Sequence, residues 1–444
     1  MIVAKIGGAL LSDADGIARA CALVRSLPAP LLVVVSAMRG VTRELEALAR
    51  AAAAGHADAE KRMEEIINCH DHAATALLPA GSMQAWREST EPERQRLDEV
   101  VRGLGIVREL SARTLDLVEH IGERLASALF TAALDAAGGE AERVSALDLI
   151  ITDATHRFAR PDPALTRERA LETLGPLLTG TGVVITEGYI ARASDGSVTT
   201  MGRESSDYSA TLLGSLLDAE EVRIYTTVEG VMTADPTVVP EARTIGRISY
   251  AMANALAESG AQILHPRTVL PVRKARIPLS IRPLAGGGTT IAVDGDSDAW
   301  SVALNRNAEL VAIETSTAGA RLDNFLHVVS GRAPIAWHHR FRRRSHLVLA
   351  QRFNEPEIPL DALAEPSLLL DRRPVALVSI VSQHAPSTGL LGRALLLLEH
   401  EGIGVRAVQD AIDTHAVSVA VEPQEGERAV QLLHDAMPAL GGTG

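Results

Sequence analysis

Aromatic residues are scarce: Phe, Trp and Tyr make up 3% of the 444 residues. A core without rings has to be built from Ala, Val, Leu and Ile, which suits buried parallel strands and packed helices. There are two cysteines, Cys21 and Cys69. Two exclude a disulfide framework and lead us to expect a reducing, cytoplasmic setting. No apolar run reaches the ~20 residues of a membrane span. The opening "MIVAKIGG" has neither a basic region nor a cleavage site, so no signal peptide is expected. Basic residues are outnumbered 43 to 56, for a formal charge of −13. An acidic surface repels nucleic acid and anionic lipid, which removes both as expected partners.

What is present is a long, 46% hydrophobic chain, enough for two or three domains. "MIVAKI" (1–6) and "PLLVVVS" (30–36) read as buried strands with a crossover helix over 15–27 between them, a parallel unit. From Thr42 to Leu134 the pattern is mostly helical, with a break near 78–82. Strands return at 182–186, 221–226 and 277–281, with helices at 206–218 and 249–259. Residues 284–298, "LAGGGTTIAVDGDSD", read as loop, closing a first α/β domain near residue 295. The remainder gives strand–helix–strand–strand over 309–351 and again, with a final helix, over 374–437. One α+β pattern nearly twice suggests a regulatory tail.

Five segments could carry chemistry. In "VAKIGGALLSD" (3–13), Lys5 precedes Gly7-Gly8 at a strand end, a cation beside bare backbone that a phosphate can approach. A tight turn with a solvent-facing lysine is the alternative. In "VVVSAMRGVTREL" (33–45), Thr42 follows the second strand and could donate to a substrate, although a helix cap is its commoner role. In "VEHIGERLASALF" (118–130), Glu123 sits in an apolar helix and needs a partner, either a substrate ammonium or a neighbour such as Arg124. In "MGRESSDYSATLL" (201–213), Arg203 can fork onto a carboxylate and Asp207 can meet an ammonium, while Ser206 or Asp207 can equally cap the helix. Finally, "TADP" (233–236) and "LHPRT" (264–268) are turns that say little alone.

Taken together, and in this order, the segments resemble the aspartate kinases of the amino-acid kinase superfamily. "KIGG", "VSAMRGVT", "GERLAS", "GRESSDYSA", "TADP" and "LHPRT" match the family's motifs along nearly the whole chain. The resemblance implies an amino-acid kinase fold over 1–295, a mostly parallel sheet between helices. It implies two ferredoxin-like ACT domains, over 305–372 and 373–444, which in the family bind amino-acid effectors and form dimers. It implies that Arg203 takes the α-carboxylate of aspartate, and that Glu123 and Asp207 take its ammonium. Thr42 and Lys5, helped by the Ser206 backbone, would hold the side-chain carboxylate, with Lys5 and Asp207 the catalytic pair. Gly7 and Gly8 would cradle the phosphates of ATP, with Mg²⁺ bridging them, and the product would be aspartyl-4-phosphate. The nucleotide side, which takes in Thr226, departs from the family: Thr227 stands for an acid, Met232 for a tyrosine, Thr237 for an arginine and Gln262 for a lysine, while Glu204-Ser205 replaces Gly-Gly. Two lost cations and one added anion leave two alternatives open. One is a family member that kept the amino-acid pocket with altered ATP chemistry; the other is an amino-acid-sensing subunit.

Overall fold

The computed structural model describes residues 1–179, 182–202, 205–261, 264–314, 335–341, 344–350, 369–383, 388–410 and 415–440. They form two compact units, Met1–Glu229 with Leu270–Gly288, and Gly230–Val269 with Thr289–Gly444. No described helix is long and apolar enough to cross a membrane.

The first unit opens with β1 (Ile2–Ile6), α1 (Ala14–Ser26) and β2 (Leu31–Val35). Both strands are buried at every position, as continuous apolar runs require when helices cover both faces of a sheet. Four helices follow: α2 (Val41–Ala54), α3 (Ala59–Leu77), α4 (Ala80–Val107) and α5 (Ala112–Ala136). The expected break falls at Leu78-Pro79, where proline ends the helical pattern. Then come β3 (Glu142–Arg143), α6 (Ala146–Leu149), β4 (Ile151–Thr152), α7 (Pro163–Leu174) and β5 (Val183–Glu187). The run closes with β6 (Ile190–Ala193), β7 (Val198–Thr200), α8 (Ser205–Leu216) and β8 (Glu221–Tyr225).

Within this unit the order β3-β5-β2-β1-β8 is parallel throughout. Lys5 lies opposite Val34 on one side and Ile224 on the other, so the lysine rides on an interior strand, one residue before its carboxyl end. Ligands in open α/β sheets bind at such ends. β4, β6 and β7 make a separate small sheet.

The second unit contains β9 (Arg247–Ser249), α9 (Tyr250–Glu258) and, across the unit boundary, α10 (Pro266–Ala275). The chain returns to the first unit for β10 (Leu279–Arg282), parallel to β8. Next is β11 (Thr289–Ala292), which pairs with β9. This strand corrects the loop expected over 284–298: the β-branched run Thr289-Thr290-Ile291 outweighs the glycines before it.

The rest comprises β12 (Trp300–Glu314), β13 (Ile335–Phe341), β14 (Arg344–Ala350), β15 (Leu369–Ser382), α11 (Thr388–His400), β16 (Val405–Asp410), β17 (Ala416–Val421) and α12 (Gly426–Leu440). The sheet order is β13-β14-β12-β15-β17-β16, all antiparallel. Each repeat contributes its strands in the same pattern, and the two first strands, β12 and β15, pair at the centre. The helix expected over 320–331 lies outside the described residues. α11 and α12 bury Leu390, Ala394, Leu398, Val430 and Leu433 against Val378, Ile380 and Val419.

Candidate active site

β1 ends at Ile6, and Gly7-Gly8 turn the chain into a short 3₁₀ helix, Gly8–Leu11. Both glycines are forced by close approach. A Cβ on Gly7 would lie 3.0 Å from the Tyr225 carbonyl oxygen, and one on Gly8 would lie 2.5 Å from that of Ala37. The Gly7 N–H donates to Tyr225 O at 3.0 Å, so it is spent on the sheet; the turn from Gly8 onward is what can face a ligand.

Lys5 is buried, and its Nζ lies 2.6 Å from Asp207 Oδ1 in the first turn of α8. The solvent-facing alternative for Lys5 is thereby overturned. Asp207 is held by a lysine, and Ser206 beside it is buried. Gly188, just past β5, lets that helix start come close: a Cβ there would be 2.6 Å from Ser206 Cβ. Arg203, with Glu204, lies outside the described residues, as does Gln262.

Glu123 is 3% exposed in the middle of α5. Its Oε1 accepts from Ala37 N at 3.4 Å, and its Oε2 has no hydrogen-bond partner among the described residues. The suggested pairing with Arg124 is not made. Arg124 turns away to Glu93 (2.8 Å) and Glu187 (3.1 Å), because adjacent residues on a helix point to different faces. Burial pushes the Glu123 carboxyl well above its ordinary value; the Ala37 N–H opposes this, while Glu119 and Glu187 add to it. An acid in that position asks for a cation. Gly122 permits the close approach of α2, since a Cβ there would sit 3.0 Å from Val41 and Leu45 side chains.

Thr42 does not cap α2. Gly40 occupies that position with φ 85 and no side-chain bond, and the helix begins at Val41. A left-handed residue was needed to turn from the strand-end loop into the helix, which glycine supplies without strain. The Thr42 hydroxyl is therefore not committed to a cap.

The first unit thus brings Lys5, Gly8, Ala37, Glu123, Gly188, Ser206 and Asp207 together through direct contacts. On the expected nucleotide side, Thr226 N donates to Arg282 O at 3.0 Å, and Thr227 is exposed. Met232 and Thr237 belong to the second unit. There the Met232 carbonyl accepts from Ser301 Oγ at 2.8 Å, while Thr237 N and Oγ1 both donate to Asp235 Oδ1 in a local turn.

A model described as the amino acid kinase family matches residues 1–283. The chain belongs to that family. Within it, the lysine-sensitive aspartokinase 3 of Escherichia coli strain K12 is 33% identical over 323 residues, 71% of this chain and 70% of that protein. An aspartokinase of Chlamydia muridarum is 27% identical over 453 residues, covering 100% of this chain and 98% of its own. The crystal structure of E. coli aspartokinase III in complex with aspartate and ADP (R-state) superposes with a TM-score of 0.86 at 26% identity, over 98% of this chain and 99% of that one. The amino-acid kinase fold and the antiparallel ACT-type sheet are therefore those of an aspartokinase.

Acids that family motifs did not flag surround the same helix. Asp116 and Glu119 are buried on the α5 face that carries Glu123. Glu187 on β5 accepts from Arg124, Ser127 Oγ (2.7 Å) and Ala146 N (2.7 Å), locking α5 to the sheet. The signal was available: carboxylates at 116, 119 and 123 repeat at helical spacing in an otherwise apolar stretch.

Proposed function

We infer that this chain is an aspartate kinase that phosphorylates the side-chain carboxylate of L-aspartate with ATP, giving aspartyl-4-phosphate and ADP. The observation that carries the reading is the Lys5–Asp207 ion pair at the glycine turn, with the orphaned Glu123 Oε2 one loop away. In this reading Arg203 takes the α-carboxylate, while Glu123 and Asp207 receive the ammonium. Thr42 and the Ser206 backbone orient the side-chain carboxylate. A carboxylate oxygen forms a bond to the γ-phosphorus as the bond to the ADP oxygen breaks. Lys5 neutralises the charge that this step spreads over the phosphoryl oxygens; such catalysis is positioning and electrostatics.

Within the first unit, Gly7, Gly8, Thr226 and Thr227 are the proposed nucleotide contacts, Gly7 through its bare α-carbon because its N–H is spent on the sheet. Met232, Thr237 and Gln262 are expected as nucleotide contacts from the family resemblance alone. Among the described residues no three His, Cys, Asp or Glu side chains converge as ligands. Mg²⁺ would come with the nucleotide phosphates. Residues 1–295 would form the catalytic domain, with 305–372 and 373–444 as ACT domains open to an amino-acid effector in a cytoplasmic dimer. The altered-chemistry and sensing-subunit alternatives are not favoured by the comparisons.

The test is ADP release across acidic amino acids with hydroxylamine present. Aspartate-dependent hydroxamate supports the reading; its absence with every acid tried overturns it.

A further inference from the structure

The face of α5 that ends at Glu123 carries two more buried acids, Asp116 and Glu119, spaced by three and four residues. Their partners all lie on segments that lead into the pocket. Asp116 accepts from His156 Nδ1 (2.8 Å), Arg157 N (3.0 Å) and Thr200 Oγ1 (2.7 Å). Thr200 ends β7, two residues before Gly202. Glu119 Oε2 accepts from the Tyr189 hydroxyl and pairs with Arg157 Nη1 at 2.5 Å.

Tyr189 and Arg157 share a second property: both are non-glycine residues with left-handed backbone, at φ 68 and φ 74. Such conformations cost free energy and persist where the surroundings over-determine them. Here the Glu119 carboxylate holds both side chains, while Asp116 holds the Arg157 N–H. The two residues also adjoin the pocket. Tyr189 follows Gly188, which touches Ser206. Its N–H donates to Ser209 Oγ on α8 (3.0 Å), and its carbonyl accepts from Met201 N (3.0 Å). A Cβ on Gly202 would lie 3.2 Å from the Phe158 ring and 3.6 Å from the Arg157 carbonyl oxygen. Burying a charged pair contributes little net stability compared with apolar packing of the same volume. A structural role alone therefore gives no reason for Glu119 here.

We propose that Glu119 is a positioning residue of the amino-acid pocket, holding the Tyr189 turn and the 155–158 loop in the strained conformations that set Ser206 and Gly202 around the substrate. The proposal rests on reading this cleft as the aspartate site. Glu119 also faces Glu123 electrostatically. The groups facing Glu123 are Glu119 on its own helix, Glu187 on β5 and the Ala37 N–H; those facing Glu119 are Arg157, Tyr189 and, from α2, Glu46.

The experiment compares wild type with Glu119→Gln, which keeps shape and acceptor but removes charge, and Tyr189→Phe, which removes one hydroxyl. In Glu119→Gln, KM for aspartate rises about tenfold or more while KM for ATP stays within about twofold. The acid limb of kcat/KM for aspartate moves to lower pH, because a negative charge facing Glu123 is gone. Tyr189→Phe raises KM for aspartate in the same sense by a smaller factor. Equal losses for both substrates, or an unmoved acid limb, overturn the proposal. Hydrogen exchange supplies a readout independent of turnover: Glu119→Gln speeds exchange at 155–158 and 188–190 and leaves β1 and β2 unchanged. Unchanged exchange at those segments sinks the inference even where wild type turns over aspartate. A wild type inactive with aspartate sinks the function reading instead.

Discussion

Replacing Glu123 by Gln tests whether the pocket is built to receive a cation, because the two consequences have opposite signs. The side chain is 3% exposed, its Oε2 has no hydrogen-bond partner among the described residues, and burial holds its carboxyl well above the ordinary value near 4.5. Glutamine keeps the volume and can still accept from Ala37 N, but it cannot pair with an ammonium. Losing one charge-assisted contact in a buried site costs about 2–3 kcal/mol, or roughly 30- to 150-fold in aspartate affinity. ATP affinity should be unchanged.

Stability moves the other way. Below pH about 4.5 the folded and unfolded chains both keep the Glu123 proton, and the two proteins differ little. As pH rises through that value the unfolded chain releases its proton while the folded chain retains it. Wild-type stability falls through that window, and that of Glu123→Gln does not. The variant should therefore melt higher at pH 7 by a few degrees, with a gap that shrinks towards pH 4.5. Aspartate titration by calorimetry and thermal melts across pH measure both. A variant that binds aspartate as tightly as wild type refutes the ammonium role, and a melting gap independent of pH refutes the electrostatic cause.

Lys5→Met should lower kcat by about 10²–10³-fold. It should also destabilise the protein by about 2–3 kcal/mol by leaving Asp207 unpaired. Adding Asp207→Asn should restore stability without activity, as a denaturation-based double-mutant cycle would read. Gly8→Ala places a methyl 2.5 Å from the Ala37 carbonyl oxygen. The Ala37 loop must shift, and with it the Glu123 contact; we expect more than tenfold loss in kcat/KM and about 1–3 kcal/mol of stability, seen in ADP release and urea melts. His70 and His120 are buried and pushed down to about 4, chiefly by burial. Because the unfolded chain protonates first, stability is lost as pH falls from about 6.5 towards 4, roughly 3 kcal/mol per histidine. His70→Gln should flatten that decline in pH-dependent unfolding.

Much of the frame was legible because its determinants are local. The apolar runs at 2–6 and 31–35 and the alternating run at 221–225 are strands, and the doubled tail pattern became one sheet with its first strands paired. Lys5 and Asp207 met because a strand end and a helix start converge in this topology. Other features had no local signature. The Gly40 cap depends on a left-handed turn that sequence does not distinguish from a threonine cap two residues on. Residues 289–292 form a strand despite three preceding glycines. Glu119 contacts Tyr189, 70 positions away, a contact that only the fold creates.

The charges around α5 argue for what the pocket selects. Glu119 is paired with Arg157, Glu187 with Arg124, and Asp207 with Lys5. Asp116 is satisfied by three donors. Among the described residues Glu123 Oε2 and Asp207 Oδ1 both lack a hydrogen-bond partner, but Asp207 Oδ1 lies 2.6 Å from the Lys5 ammonium, so of these acids Glu123 keeps an oxygen with neither a hydrogen bond nor an ion pair. Among the described residues every other acid in the group is neutralised or hydrogen-bonded by the protein itself, so in the proposed reading the pocket meets its ligand with one vacancy for positive charge at Glu123. A dicarboxylic acid without an amino group would bury that oxygen against nothing, at a cost of about 1–3 kcal/mol. An amino acid fills it. In the proposed reading, discrimination for the zwitterion comes less from an attractive contact added than from a buried acid left unsatisfied until the right ligand arrives.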